Sequence, residues 1–203
     1  MITVIDLGIS NIASVSRALQ RLGINHVVSS GQEDIMKAKQ LILPGVGSFA
    51  EAVKRMRQAE LEAALKKAVL EEKKPILGIC LGMQLFATYG EEGGGAQGLD
   101  FIRGKVLYHR ASQSNLRLPH IGWNDVYFNG LSITGSLNGN ACFYFVHSYE
   151  FIPEEPVQVA LSHYGVDFVA AIQKDNIFGV QFHPEKSQEA GLKLLENFCK
   201  SYL

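Results

Sequence analysis

Three short runs of the sequence hold residue types suited to nucleophilic catalysis. In "GICLG" (78–82) a cysteine, Cys80, stands with a glycine two positions to either side, after the apolar "PILGI" and before another apolar run. This is the small-x-nucleophile-x-small pattern of a nucleophile elbow. A sharp strand-to-helix turn leaves no room for side chains at the flanking positions. It would present the sulfur above the carboxyl ends of the strands, where open α/β sheets bind ligands. It would also aim the positive end of the next helix at the thiol, which favours thiolate. A free thiol is only a few per cent ionised at pH 7, so a base is still needed. The second run, "FGVQFHPE" (178–185), offers one. A strand running into His183 is turned by Pro184, which cannot continue a ladder. Glu185 can then accept from the second ring nitrogen of His183 and fix its tautomer. In the third run, "LPGVGSF" (43–49), two glycines allow a backbone N–H to turn toward a tetrahedral oxyanion. Taken singly, these are a packed cysteine, a surface turn with a histidine and an ordinary strand-helix turn. Taken together they predict a Cys–His–Glu constellation for acyl transfer.

The flanking elements are of the kind that would position such a site. "ITVIDL", "HVVSS", "QLILPG" and "PILGI" read as strands separated by helical patterns. Ile12, Val15, Leu19 and Leu22 fall on one helical face that closes at Gly23. A long helix is expected from Ser48 through Val53, Met56, Leu61, Leu65 and Val69, with Ser48 and Glu51 as a capping box. That β-α-β-α order implies parallel strands covered on both faces. Beyond residue 120 the pattern changes. "DVYF", "CFYFVHSYEF", "VQVALSHYG", "FVAAIQ" and "IFGVQF" read as strands with short turns, one of them at 174–176. A last helix, capped by Ser187, uses Leu192, Leu195 and Phe198. The expected fold class is α/β, a single domain over residues 1–203. Its mixed, mostly parallel central sheet is flanked by helices in the flavodoxin-like manner.

Bulk properties narrow the function classes. At 203 residues the chain can bury roughly 70% of its unfolded surface, so it needs no staples. A net charge of −1 with scattered Lys and Arg gives no nucleic-acid stripe and no polybasic membrane patch. No run of about 18 apolar residues is present. The three cysteines, Cys80, Cys142 and Cys199, are widely spaced and form no disulfide framework, which fits a reducing cytoplasm. Cys142 and Cys199 read as packing residues. His26, His109 and His163 show no ligand spacing, so no metal is expected. There is neither a GxxxxGK[ST] loop nor a GxGxxG after a strand, so no nucleotide cofactor is implied.

"PGVGSF", "GICLGMQLF" and "GVQFHPE" together resemble the class I (triad) glutamine amidotransferases. Within that family, "DLGISNIASV", "LPHIGWN" and "YFVHSY" resemble the glutaminase (HisH) subunits of imidazole glycerol phosphate synthases. The likeness runs from the first strand to the last helix. It implies the class I amidotransferase fold, with Cys80 as nucleophile, His183 as general base and acid and Glu185 as orienting carboxylate. It further implies an oxyanion hole from Leu81 and the Val46–Gly47 region. Gln84, Glu92, Ser148 and Tyr149 would be glutamine-binding residues. A partner surface would include Gly8, Asn11, His120, Trp123 and Asn124. The likeness makes His147 a structural or interface histidine rather than a second base. Two departures stand out: "EEGGGAQG" (91–98) is unusually glycine-rich, and Ile9-Ser10 stand where smaller residues or proline are common.

The resemblance also implies a partner, because nothing in the chain is left over to bind an ammonia acceptor. The family's partner is the (β/α)₈ cyclase subunit HisF, bound as a heterodimer. It uses the ammonia to convert PRFAR to imidazole glycerol phosphate and AICAR in histidine biosynthesis. Three alternatives stay open on sequence alone. One is a paralogous glutaminase subunit serving a sugar-modifying synthase of surface polysaccharide synthesis. Another is a cysteine hydrolase or peptidase that does not use glutamine. The last is a non-catalytic docking protein that retains the fold.

Overall fold

A computed structural model describes residues 1–114, 116–135, 137 and 139–201. The first half alternates as expected: β1 (Ile2–Ile5), α1 (Ile12–Arg21), β2 (His26–Ser29), α2 (Gln32–Lys37), β3 (Gln40–Gly45), α3 (Phe49–Gln58), α4 (Leu61–Lys66), β4 (Ile76–Cys80) and α5 (Leu81–Gln84). The second half is mostly strand: β5 (Tyr89–Gly90), β6 (Ala96–Gln97), β7 (Gly104–Tyr108), β8 (His120–Phe128), β9 (Gly139–His147), β10 (Tyr149–Pro153), β11 (Gln158–Tyr164), β12 (Val166–Lys174) and β13 (Ile177–Val180), closed by α6 (Gln188–Ser201).

Nine strands form one mixed sheet in the order β2-β1-β3-β4-β13-β12-β11-β8-β9. The β2-β1-β3-β4-β13 portion is parallel, and β12, β11, β8 and β9 extend it antiparallel. The parallel strands read as apolar runs because both faces are covered. Along β3, Leu41 and Leu43 pack toward α3 and α4, whereas Ile42 packs toward α1 and α6. The period-two alternation thus feeds two hydrophobic layers from one strand.

Several elements differ from the sequence reading. The helix expected over 48–69 breaks at Glu60, which adopts φ 55°, and its last turn (Lys67–Glu71) is π-helical. The capping box does not form. Ser48 makes no side-chain cap bond, and Glu51 pairs instead with Arg55. The N–H of Phe49 is taken by Glu92, which reaches across from the glycine-rich loop at 3.0 Å. Ser187 does not cap α6. Its hydroxyl donates to the His183 carbonyl at 2.6 Å and accepts from the Tyr144 N–H at 3.0 Å, fastening the turn after His183 to β9. The run "CFYFVHSYEF" is two strands, not one. It leaves the large sheet at His147 and, after Ser148, enters a second four-stranded sheet of order β10-β7-β5-β6. Among the described residues no helix is long and apolar enough to cross a membrane.

Candidate active site

Three adjacent parallel strands deliver the three runs to one edge of the sheet. Gly45 at the end of β3 is level with Cys80 at the end of β4, and β13 lies on the other side of β4, with Val180 level with Ile79. The sequence folds tightly here because the flanking residues lack side chains. A Cβ on Gly82 would lie 1.7 Å from the Leu43 carbonyl oxygen, and one on Gly78 would lie 2.6 Å from the Met83 nitrogen. Cys80 itself has φ 55° and ψ −109°, a costly conformation for a residue with a side chain. The surrounding strands hold it there, and the N–H groups opening α5 follow directly.

The resulting cavity, of about 300 Å³, collects nearly all the expected residues. Cys80, His183, Val46, Gly47, Leu81, Gln84, Glu92, Ser148 and Tyr149 all line it. Glu185 stands behind His183: His183 Nδ1 donates to Glu185 Oε1 at 2.8 Å, and both side chains are almost fully buried. The second ring nitrogen, Nε2, has no hydrogen-bond partner. Burial works to lower the His183 pKa. Negative charge on Cys80 and the bonded Glu185 carboxylate outweigh it and push the value up to about 10. The site therefore favours the imidazolium form of His183 across the neutral range.

Some expected residues are placed differently from the reading. The Val46 N–H is not free for an oxyanion, since it donates to the Ile9 carbonyl at 3.1 Å. Glu92 both lines the cavity and caps α3, and burial raises its pKa. Of the residues expected at a partner surface, Gly8, Asn11 and Trp123 are exposed and Asn124 is half-buried. His120 is a correction. At 3% exposure it lies beneath that surface, stacked between Tyr164 and Phe145. An imidazole stacked on two aromatic rings is a core residue and cannot be a contact.

The structure places His147, expected as a structural or interface histidine, at the site, and adds Gln181, which sequence reasoning missed. His147 lines the cavity, and its Nδ1 donates to the Tyr149 carbonyl at 2.9 Å. Its Nε2 must then accept, and His120 Nδ1 supplies the proton at 3.1 Å. His120 Nε2 in turn faces the Asn124 amide at 3.4 Å. Burial lowers the pKa of His147 to about 3 and of His120 to about 4, so both rings are neutral and this pattern holds. Gln181, fully buried, donates to the Cys80 sulfur at 3.6 Å. The available signal was its place in the same short run as His183, just past the end of β13.

Comparison with known proteins agrees with the geometry. The chain matches the "Glutamine amidotransferase class-I" family over residues 3–201. The chain belongs to the class I glutamine amidotransferases. Within that family the amidotransferase groups with the HisH proteins. It is 46% identical to "Imidazole glycerol phosphate synthase subunit HisH 1" of Campylobacter jejuni strain RM1221 over 201 residues, covering 98% of this chain and 100% of the relative. It is 45% identical to the HisH subunit of Moorella thermoacetica over 200 residues, covering 97% and 93% of the two chains. A solved glutamine amidotransferase structure superposes with a TM-score of 0.75 at 24% identity, over 97% of this amidotransferase and 98% of that chain. That likeness speaks for the fold.

Proposed function

We propose that this amidotransferase is the glutaminase subunit of an imidazole glycerol phosphate synthase, its whole length forming one catalytic domain. The carrying observation is the cavity where Cys80 and the buried His183–Glu185 pair meet at the ends of adjacent strands. The Cys80 thiolate attacks the side-chain carbonyl of glutamine. The oxyanion forms against the Leu81 N–H and a donor from Val46–Gly47. The imidazolium of His183 gives its proton to the leaving nitrogen, ammonia departs and a γ-glutamyl thioester remains. Water, deprotonated by His183, then releases glutamate and regenerates the thiolate. Glu185 holds the ring and balances its charge. Gln84, Glu92, Ser148 and Tyr149 hold the amino-acid end of the substrate.

In the structure as it stands, the Val46 N–H is engaged by Ile9, so the peptide there must turn to supply the second oxyanion donor. Resting turnover is accordingly low. Ammonia loses its nucleophilicity once it is protonated in bulk water, so its release is tied to a cytoplasmic partner that shields it. The HisH relatives are synthase subunits by name, and the partner is the (β/α)₈ cyclase subunit HisF, docked over the Gly8, Asn11 and Trp123 face. It uses ammonia and PRFAR to form imidazole glycerol phosphate and AICAR. The test is glutamate release by the chain alone, with the cyclase, and with cyclase plus PRFAR. Release should rise at each addition and vanish in Cys80→Ala. Full-speed turnover without any partner would remove the case for coupling.

A further inference from the structure

Gln181 is a buried amide at the sulfur to which the mechanism above gives no task. A primary amide is costly to bury unless it is bonded, and every bond it makes points into the site. Its Oε1 accepts from Gln84 Nε2 at 3.0 Å, and its Nε2 faces Cys80 Sγ at 3.6 Å. The sense of both amides is decided by a third group. Gln84 Nε2 also lies 3.2 Å from the Tyr149 carbonyl oxygen, which has no proton to give, so that atom must be the NH₂. An NH₂ on Gln84 obliges Gln181 to present its oxygen. The NH₂ of Gln181 is thereby turned onto the sulfur. Phe182 between them stacks on Phe143, and Gln181 and His183 come to the Cys80 site from a single run.

An amide N–H gives little to a neutral thiol. To a thiolate the bond is charge-assisted and roughly twice as strong. Sulfur carries that charge before attack, loses it when the C–S bond forms and regains it when water displaces glutamate. We propose that Gln181 is a further catalytic residue, the donor that holds the Cys80 sulfur in its anionic form and ties it through Gln84 to the substrate wall. This rests on the reading of Cys80 as the nucleophile.

The test follows alkylation of Cys80, which lines the cavity, by iodoacetamide against pH in the full chain, read on the Cys80 peptide because Cys142 is exposed. In Gln181→Leu the midpoint should move up by about one to two pH units, the tenfold to hundredfold effect of losing a hydrogen bond to a charged group. Gln181→Glu, which keeps the shape but adds a repelling charge, should move it further. Unchanged midpoints in folded variants overturn the proposal. If neither variant folds, the parent still decides: with ¹⁵N-labelled glutamine residues, the Gln181 side-chain amide resonance should titrate at the alkylation midpoint, and one that does not move overturns the proposal. Separately, a parent Cys80 that resists a glutamine-derived diazoketone but alkylates normally would sink the glutaminase reading and leave the Gln181 result standing.

Discussion

Replacing Gly82 with alanine isolates the steric demand of the elbow. Gly82 is not among the residues with positive φ, so alanine is conformationally acceptable there and the effect is one of space. The added Cβ would sit 1.7 Å from the Leu43 carbonyl oxygen and 2.8 Å from its carbon, both backbone atoms of β3. Relief requires α5 and β3 to separate by roughly 1.5 Å, in an interior packed as densely as an organic crystal. Overpacking of this kind costs about 3 kcal/mol or more. For a chain of this length that corresponds to a fall in Tm of about 6–12 °C. The same shift carries Cys80 away from His183, and a displacement of about 1 Å can lower turnover about a hundredfold. Thermal unfolding and glutaminase assays read the two effects. Gly94→Ala is the control, because a Cβ there meets nothing within 4 Å and only its φ of 95° is strained. A Gly82→Ala protein with parental Tm and turnover would refute the steric account of the elbow.

Glu185→Gln should keep the fold but lower the His183 pKa. Turnover should fall by about two to four orders of magnitude, and the alkaline limb of the pH profile should move to lower pH. The His183 contribution to stability is present in full below its unfolded pKa near 6.5 and is lost as pH rises toward about 10. In Glu185→Gln that alkaline loss should begin earlier, as urea midpoints across the range will report. The buried neutral rings act in the opposite sense. His147 and His120 have folded pKa values of about 3 and 4, so their contribution is full above about pH 6.5 and falls as pH drops toward those values. Urea midpoints should decline steeply between pH 6.5 and 4 in the parent, and less steeply in His120→Phe. An equal decline in both would exclude the ring as a cause. Trp123, 48% exposed beside Ile121 at 60%, should contribute to docking and not to folding. Trp123→Ala should leave Tm within about 1 °C yet weaken cyclase binding about thirtyfold by titration calorimetry, as expected for a central aromatic contact.

The elbow and the turn after His183 were legible because their signals are local. Glycines at 78 and 82 leave room for only one kind of turn, and Pro184 opens a turn directly after His183, although β13 itself ends earlier, at Val180. The parallel half was legible for a similar reason, since apolar runs alternating with helical periodicity admit few topologies. The split at Ser148 was not. "CFYFVHSYEF" is continuously apolar and aromatic, and nothing local says that the chain changes sheets within it. The caps were misread for the same cause. Ser48 has the right type and spacing, but Glu51 is drawn off to Arg55 and Glu92, distant in sequence, caps the first helical N–H instead.

The amino-acid sequence by itself marked the tight turn at Cys80, the His183-Pro184-Glu185 turn and the alternation of strand and helix in the first half. Each depends on backbone sterics and periodicity within a few residues. Only the tertiary structure decided what surrounds the sulfur: the buried amide of Gln181, the neutral His147–His120 pair and the Val46 N–H held by Ile9. Those arrangements depend on which polar groups are buried together, and burial is a property of the packed whole.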